Sequence, residues 1–132
     1  MDLILINLPT LLVTAFLAIL FLQSGLDKVL DYKGNFQYFQ EHFKKSPLAG
    51  SVPFLMPTIT GLEVLTGLVS VWAFIQTLLG GHSAAAIYSP ALAGISLLSL
   101  FFGQRLAKDY AGAAALVPYF IVVLLGFWFI KM

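Results

Sequence analysis

Four apolar segments, each long enough to cross a membrane, constrain the fold of this chain more than any other feature. The first begins with 24 uncharged residues, Leu3 to Leu26. A helix needs about 20 apolar residues to cross the hydrocarbon of a bilayer. Lipid cannot satisfy open backbone groups, and these runs lack the alternation of barrel strands, so we expect helices. The predicted spans are residues 3–27, 54–79, 84–102 and 110–130.

Two of the connections between these spans are short, which forces neighbouring helices to run in opposite directions. The sequence therefore predicts an all-α fold, an integral membrane four-helix up-down-up-down bundle. A cytoplasmic interfacial amphipathic segment, at about residues 34–46, is expected between the first and second helices. All of this forms a single domain, residues 1–132.

The composition excludes several classes of function. Of the 132 residues, 60% are hydrophobic and only 10% are charged, too few for the surface of a soluble domain. The sequence has no cysteine, which excludes disulfides and thiolate chemistry carried by this chain. The seven basic and six acidic residues nearly balance, so the chain lacks the basic surface that binds nucleic acid. His42 and His82 fall on opposite sides of the predicted bundle, so we expect no metal site.

Lysine and arginine cluster on one side of the predicted bundle. The other side has only Lys131. Basic loops stay cytoplasmic, which predicts a multi-pass protein of the bacterial inner membrane with both termini outside and loops 1 and 3 inside. Asp2 precedes the first apolar run, so that run is expected to be a retained span and not a cleaved signal. The clustered residues are Lys28, Lys33, Lys44, Lys45, Arg105 and Lys108.

The long first connection carries aromatic residues at helical spacing, with polar residues on the other side. This pattern is typical of an interfacial helix. It is compatible with a lid packed on the bundle and with a docking surface for another protein. Either Pro53 or Pro57 is expected to open the second span, since proline fits a first helical turn. The aromatic residues are Tyr32, Phe36, Phe39 and Phe43.

Glu63 is the only charged residue between Lys45 and Arg105, and it lies within the second span. An acidic side chain at the bilayer centre costs about 2.5–3.5 kcal/mol, so such residues usually face a partner or a cavity. Thr60, Glu63 and Gly67 fall on one helical face. Small and polar residues let helices approach in lipid, so this face is expected to point inward.

The side chains within reach of Glu63 at this depth are Gln23 in the first span and Tyr119 in the fourth, with Lys28 and Arg105 somewhat shallower. Two interpretations remain open. Glu63 is either a brace between helices, neutral or paired, or a site that exchanges protons or binds a polar headgroup such as a quinone carbonyl. No catalytic residue can be assigned.

A second cluster lies at the predicted cytoplasmic boundary. Arg105 and Asp109 are four residues apart, and we expect a weak local pair between them. Asp27 and Lys28 are expected to interact locally with Asp31 in the same way.

Three short motifs resemble those of DoxX-like membrane proteins. They are Ser24-Gly25-Leu26-Asp27-Lys28, Gly61-Leu62-Glu63-Val64-Leu65-Thr66-Gly67 and the segment GQRLAKDYAG from Gly103 to Gly112. The resemblance implies a four-helix inner-membrane protein, and some relatives are small subunits of quinone-reducing oxidoreductases or act in redox-enzyme maturation. It selects six positions without a proven catalytic role: Gly25, Lys28, Glu63, Gly67, Arg105 and Asp109.

The function predicted from these features is a non-catalytic accessory protein or subunit of a larger membrane complex, with a quinone-linked redox complex as one option. Its partners would be the lipid bilayer and either other subunits or further copies of this chain. No intrinsic cofactor is expected, although quinone or lipid could bind. The alternative is an oligomeric transporter or channel unit that conducts protons or a solute past Glu63. An enzyme acting alone ranks last, because the sequence offers no nucleophile or metal cluster.

Overall fold

A computed structural model gives the fold and describes residues 3–80 and 84–131. Within these residues the chain forms seven α-helices and a short 3-10 turn, with no β-strand. His82, which is expected in the outer connection, lies outside the described residues. The elements are α1 (Leu3–Ile6), α2 (Leu8–Leu30), α3 (Tyr32–Phe43), the 3-10 turn (Ala49–Ser51), α4 (Val52–Gly80), α5 (Ala85–Leu106), α6 (Tyr110–Ala114) and α7 (Val117–Lys131).

Four stretches of helix are long and apolar enough to cross a membrane, which confirms the all-helical fold and the four predicted spans. The first is shorter than predicted at its start, because α1 ends at Ile6 and α2 begins after Asn7. Pro9 lies in the first turn of α2, where its missing N–H costs no helical hydrogen bond. The four stretches are Leu8–Leu30, Ala49–Gly80, Ala86–Leu106 and Tyr110–Ile130.

A tight corner joins α2 to α3. Asp31 ends α2, and its side chain accepts a hydrogen bond from the backbone N–H of Gly34, at 3.3 Å, which caps the start of α3. The Asn35 side chain donates to the carbonyls of Asp27 and Asp31, at 3.2 and 2.8 Å. These bonds satisfy backbone groups that the two helix ends leave open. The helix α3 thus begins two residues before the start of the predicted segment and ends three residues before the end of that segment.

Proline sets the geometry of the second and fourth spans. The helix α4 starts at Val52 with Pro53 in its first turn, and Pro57 lies inside it. Glu63 is ten residues beyond Pro53 and thus roughly 15 Å along the axis. In the fourth span, Pro118 cannot donate to the carbonyl of Ala114, and its ring would collide with that carbonyl. The predicted single helix is accordingly divided into α6 and α7.

An apolar core joins α2, α5 and α7. Leu17 and Phe21 of α2 pack with Ala93 and Leu97 of α5 and with Val123 of α7, and all five are almost completely buried. This core holds the first, third and fourth spans together. It leaves the contact between the first and second spans to other residues.

Two glycines bring α2 and α4 close together. A Cβ atom on Gly67 would lie 2.7 Å from Leu22 Cδ2 and 2.9 Å from the Leu22 backbone nitrogen. A Cβ atom on Gly25 would lie 2.8 Å from Val64 Cγ2. Small residues allow this approach in lipid, where van der Waals contact and hydrogen bonds drive helix association.

Gly67→Ala is expected to lower the free energy of unfolding by about 1–3 kcal/mol, because the new methyl group collides with the backbone of Leu22. Gly61→Ala is the matched control in the same helix, since nothing lies within 4 Å of a Cβ at Gly61. Unfolding in mixed detergent micelles measures both. Equal stability of the two variants would contradict the close contact between α2 and α4.

Candidate functional site

Lys28, Ser24 and Glu63 form a closed cluster between α2 and α4. The Lys28 ammonium nitrogen Nζ lies 2.9 Å from Glu63 Oε1 and donates to Ser24 Oγ, also at 2.9 Å. Ser24 Oγ in turn donates to Glu63 Oε2. The cluster therefore engages both carboxylate oxygens, one through the ammonium charge and the other through a hydroxyl.

The local sequence explains this arrangement. Ser24 and Lys28 are four residues apart on α2, so they occupy the same face one turn apart. Gly25 lies between them and touches α4 at Val64, next to Glu63. The missing side chain at Gly25 thus lets the two helices approach until Ser24 and Lys28 reach the carboxylate. Ser24 was not predicted as a site residue, although its spacing from Lys28 is the signal that identifies it.

Burial makes the pairing of these charges necessary. Glu63 is only 2% exposed and Lys28 only 9% exposed, even without a surrounding bilayer. Removing two charges from water costs several kcal/mol for each ion, and the cost is offset only by close pairing and further hydrogen bonds. The cluster meets this requirement through Ser24, which accepts from the ammonium and donates to the carboxylate. The two charges thus compensate each other inside the bundle.

The other predicted partners of Glu63 lie elsewhere. Gln23 is exposed on the outer side of α2. Thr60 is buried one turn from Glu63, but its hydroxyl donates to the Met56 carbonyl at 2.8 Å. Tyr119 packs against Phe16, with ring centroids 6.0 Å apart, and belongs to the apolar core. The expectation that Gln23 and Tyr119 could satisfy Glu63 is wrong, because Lys28 and Ser24 engage its carboxylate.

The expected pair between Arg105 and Asp109 does not form. The Arg105 guanidinium lies over the ring of Tyr110, 4.9 Å from its centroid. Asp109 instead caps α6 by accepting from the N–H of Gly112 at 2.9 Å. The reason is the positive φ of 61° at Lys108, which ends α5 before Asp109 and removes the helical spacing. The side chain of Asp27 is exposed. Its backbone carbonyl accepts a hydrogen bond from the Asn35 side chain.

A second polar contact, which sequence reasoning missed, joins α3 to the end of α5. His42 Nε2 donates to Gln104 Oε1 at 2.7 Å and lies 3.6 Å from Asp109 Oδ2. The aromatic spacing of α3 indicated that the helix packs on something. It could not identify the partner, because Gln104 is 62 residues away in the sequence.

Hydroxyl groups link α4 to α5. Thr66 and Ser96 are 3.1 Å apart, and Ser70 and Ser89 are 2.7 Å apart. All four are fully buried. The predicted inward face of the second span, which includes Thr60, is thereby confirmed: it contacts α2 through Glu63 and α5 through its hydroxyls.

Comparisons with protein-family models, curated proteins and solved structures gave no significant match to this chain. The likeness to DoxX-like proteins therefore rests on the three sequence motifs. In the part of the chain that the structure describes, no three histidine or acidic side chains come close enough to hold a metal ion.

Lys28→Met is expected to lower the free energy of unfolding by about 3 kcal/mol, because it leaves the Glu63 carboxylate buried without its counter-charge. The double variant Lys28→Met with Glu63→Met should recover most of this loss, since it removes both charges together. Unfolding in mixed detergent micelles checks the cycle. If the double variant were as unstable as the sum of the two single variants, the pair would not be coupled.

Gln104→Ala is expected to lower the free energy of local opening of α3 by about 1 kcal/mol, because His42 loses its hydrogen-bond acceptor. Hydrogen exchange of the amides in α3 measures this opening. Gln40→Ala is the matched control, because Gln40 lies on α3 itself and its side chain is exposed. Faster exchange in both variants, or in neither, would show that the His42–Gln104 contact does not hold α3.

Proposed function

We propose that this chain is a non-catalytic subunit or accessory protein of a larger membrane complex. The observation that carries the proposal is the closed cluster of Lys28, Ser24 and Glu63. Its charged groups satisfy each other inside the bundle, which suits a structural brace better than a reactive centre. Function would then depend on the surfaces that the bundle presents to lipid and to other chains.

The arrangement in the membrane is part of the proposal. Contacts between α2 and α4 pair Leu22 with Gly67 and Gly25 with Val64, which fits neighbours running in opposite directions. We infer an up-down-up-down bundle in a bacterial inner membrane, with loops 1 and 3 cytoplasmic because they carry most of the basic residues. The DoxX-like motifs support the same assignment and keep a quinone-linked complex as one option.

The helix α3 would lie at the cytoplasmic interface as a lid on the bundle. Phe39 and Phe43 are half-buried, whereas Gln40 and Glu41 are exposed. Lys44 donates to Glu41 at 2.6 Å, and this contact with the ammonium charge holds the pKa of that exposed carboxyl below its usual value. The carboxyl therefore stays charged near neutral pH, as expected of a face in contact with water and headgroups.

The fourth span is the least buried of the four described spans, which leaves room for another chain. Only 17% of its most apolar stretch is buried, compared with 39%, 33% and 39% in the first, second and third spans. Exposed side chains on α7 include Ile121, Leu124 and Trp128. A partner helix, from another subunit or a second copy, would cover this face by van der Waals packing.

Leu124→Trp should break the native complex if α7 is its interface, because the larger side chain prevents close packing. Leu98→Trp on α5 is the matched control, since Leu98 is 55% exposed and Leu124 is 53% exposed. The complex is isolated from membranes in mild detergent and its mass measured. Recovery of the wild-type chain as a lone monomer would overturn the proposal, and loss of the complex only in Leu98→Trp would move the interface to α5.

A second candidate function is a proton- or solute-conducting unit. The observation that favours it is the row of buried polar groups on one face of α4, which includes Glu63, Thr66 and Ser70. Proton flux into proteoliposomes should then depend on Glu63. A folded Glu63→Gln variant with unchanged flux would exclude the carboxylate from conduction, and absence of flux in the wild type would exclude the function itself.

A further inference from the structure

A cavity of about 310 Å³ lies beneath α3, between α3, α4 and α5. Phe39 and Phe43 of α3 cover it, and buried side chains of α4 such as Met56 form part of its wall. Ligand sites start at about 300 Å³, and an apolar cavity of about 150 Å³ already holds a benzene-sized molecule. The space is thus sufficient for a segment of a chain-like apolar molecule. Glu63 does not line it.

The side-chain oxygens of the cavity wall are already engaged. Thr58 Oγ1 donates to the Phe54 carbonyl and Ser99 Oγ to the Ile95 carbonyl, each at 2.9 Å. The Gln104 oxygen accepts from His42. The remaining wall is aliphatic and aromatic. The cavity therefore offers an oil-like surface and little that would orient a polar ligand, so it suits a hydrocarbon chain.

Exposed residues line one side of the cavity, between α4 and α5, and we take this side as its opening. Thr58 of α4 and Ser99 and Phe102 of α5 line it and are also exposed on the outside of the bundle. A chain would enter sideways between α4 and α5, beneath α3. Because these helices are long and apolar enough to span a membrane, the molecule present at this opening is a membrane lipid.

Three basic side chains lie at the end of the bundle next to this opening, together with Asp109 and the paired Glu41 and Lys44. The His42–Gln104 contact brings the ends of α3 and α5 together. Lys45 follows α3, and Arg105 and Lys108 lie at the end of α5; all three are exposed, and no acidic side chain forms an ion pair with them within residues 3–80 and 84–131. Basic residues at the membrane surface attract anionic headgroups, at about 1 kcal/mol each.

We propose that this cavity binds one acyl chain of an anionic phospholipid, whose phosphate is held by Lys45, Arg105 and Lys108. The lipid fills the space under α3 and fastens that helix to the bundle. The site is separate from the Lys28–Glu63 cluster and does not depend on the partner proposed above.

The test is native mass spectrometry of the purified chain in mild detergent, titrated with dioleoylphosphatidylglycerol. We expect one tightly retained lipid. Gly103→Leu should weaken its binding about tenfold. A Cβ at Gly103 lies 3.6 Å from Phe43 Cζ, so a leucine can extend into the cavity. Gly61→Leu, at an open position, is the matched control and should bind as the wild type does.

Ser99→Leu, which also fills the cavity, replaces Gly103→Leu if that variant does not fold. Absence of a retained lipid in the wild type, or equal retention by the filled and control variants, would overturn the proposal. Stronger retention of a long-chain ubiquinone than of phosphatidylglycerol, lost on filling the cavity, would reassign the site to a quinone.

The charge requirement has its own pair of variants. Lys45→Gln with Lys108→Gln should reduce the preference for dioleoylphosphatidylglycerol over dioleoylphosphatidylcholine by about thirtyfold. Lys33→Gln, at the opposite end of α3, should leave this preference unchanged. An equal loss in Lys33→Gln, or no preference in the wild type, would contradict a headgroup site beside the cavity.

Discussion

The ion pair between Lys28 and Glu63 is the interaction on which the rest of the bundle depends. A carboxylate roughly 15 Å along a membrane helix cannot remain unpaired without a large cost in free energy. A buried pair adds little net stability compared with an apolar contact, but breaking it is expensive. We infer that its main effect is to fix the register of α2 against α4. The glycines at positions 25 and 67 allow the approach that this register requires.

Because Lys28 and Glu63 pair with each other inside the bundle, they leave no free charge for a reaction. We therefore infer that function depends on the outer surface of the bundle and on the residues next to the lipid headgroups. The fourth span is mostly exposed and apolar, which suits another helix or lipid. At the end of the bundle where α3 lies, this helix covers an apolar cavity and is tied to α5 through His42 and Gln104. We thus infer that the Lys28–Glu63 cluster is an internal brace, and that the fourth span and the cavity under α3 are the surfaces that interact with other molecules.

Hydrophobic length and helical spacing predicted the four spans and the inward face of α4. They also placed Lys28 among the possible partners of Glu63. These features depend on local periodicity and on the cost of charge in lipid. The break in the fourth span was not predicted, although Pro118 explains it. The contacts of Gln23 and Tyr119 depend on how helices rotate about their axes, and local spacing does not fix that rotation. The expected pair between Arg105 and Asp109 fails for another reason, because the positive φ at Lys108 ends α5 between them. Long-range pairs such as His42 with Gln104 have no local signal.

The most direct test is solid-state NMR of the chain in lipid bilayers, measuring dipolar coupling between lysine ¹⁵Nζ and the glutamate side-chain ¹³C carboxyl. The sequence contains two glutamates, so a Glu41→Gln background leaves Glu63 as the only labelled carboxyl. The account predicts strong coupling, as expected from the 2.9 Å separation of Lys28 Nζ and Glu63 Oε1, and its loss in Lys28→Gln. Absence of coupling in the folded protein, or coupling that persists without Lys28, would contradict it.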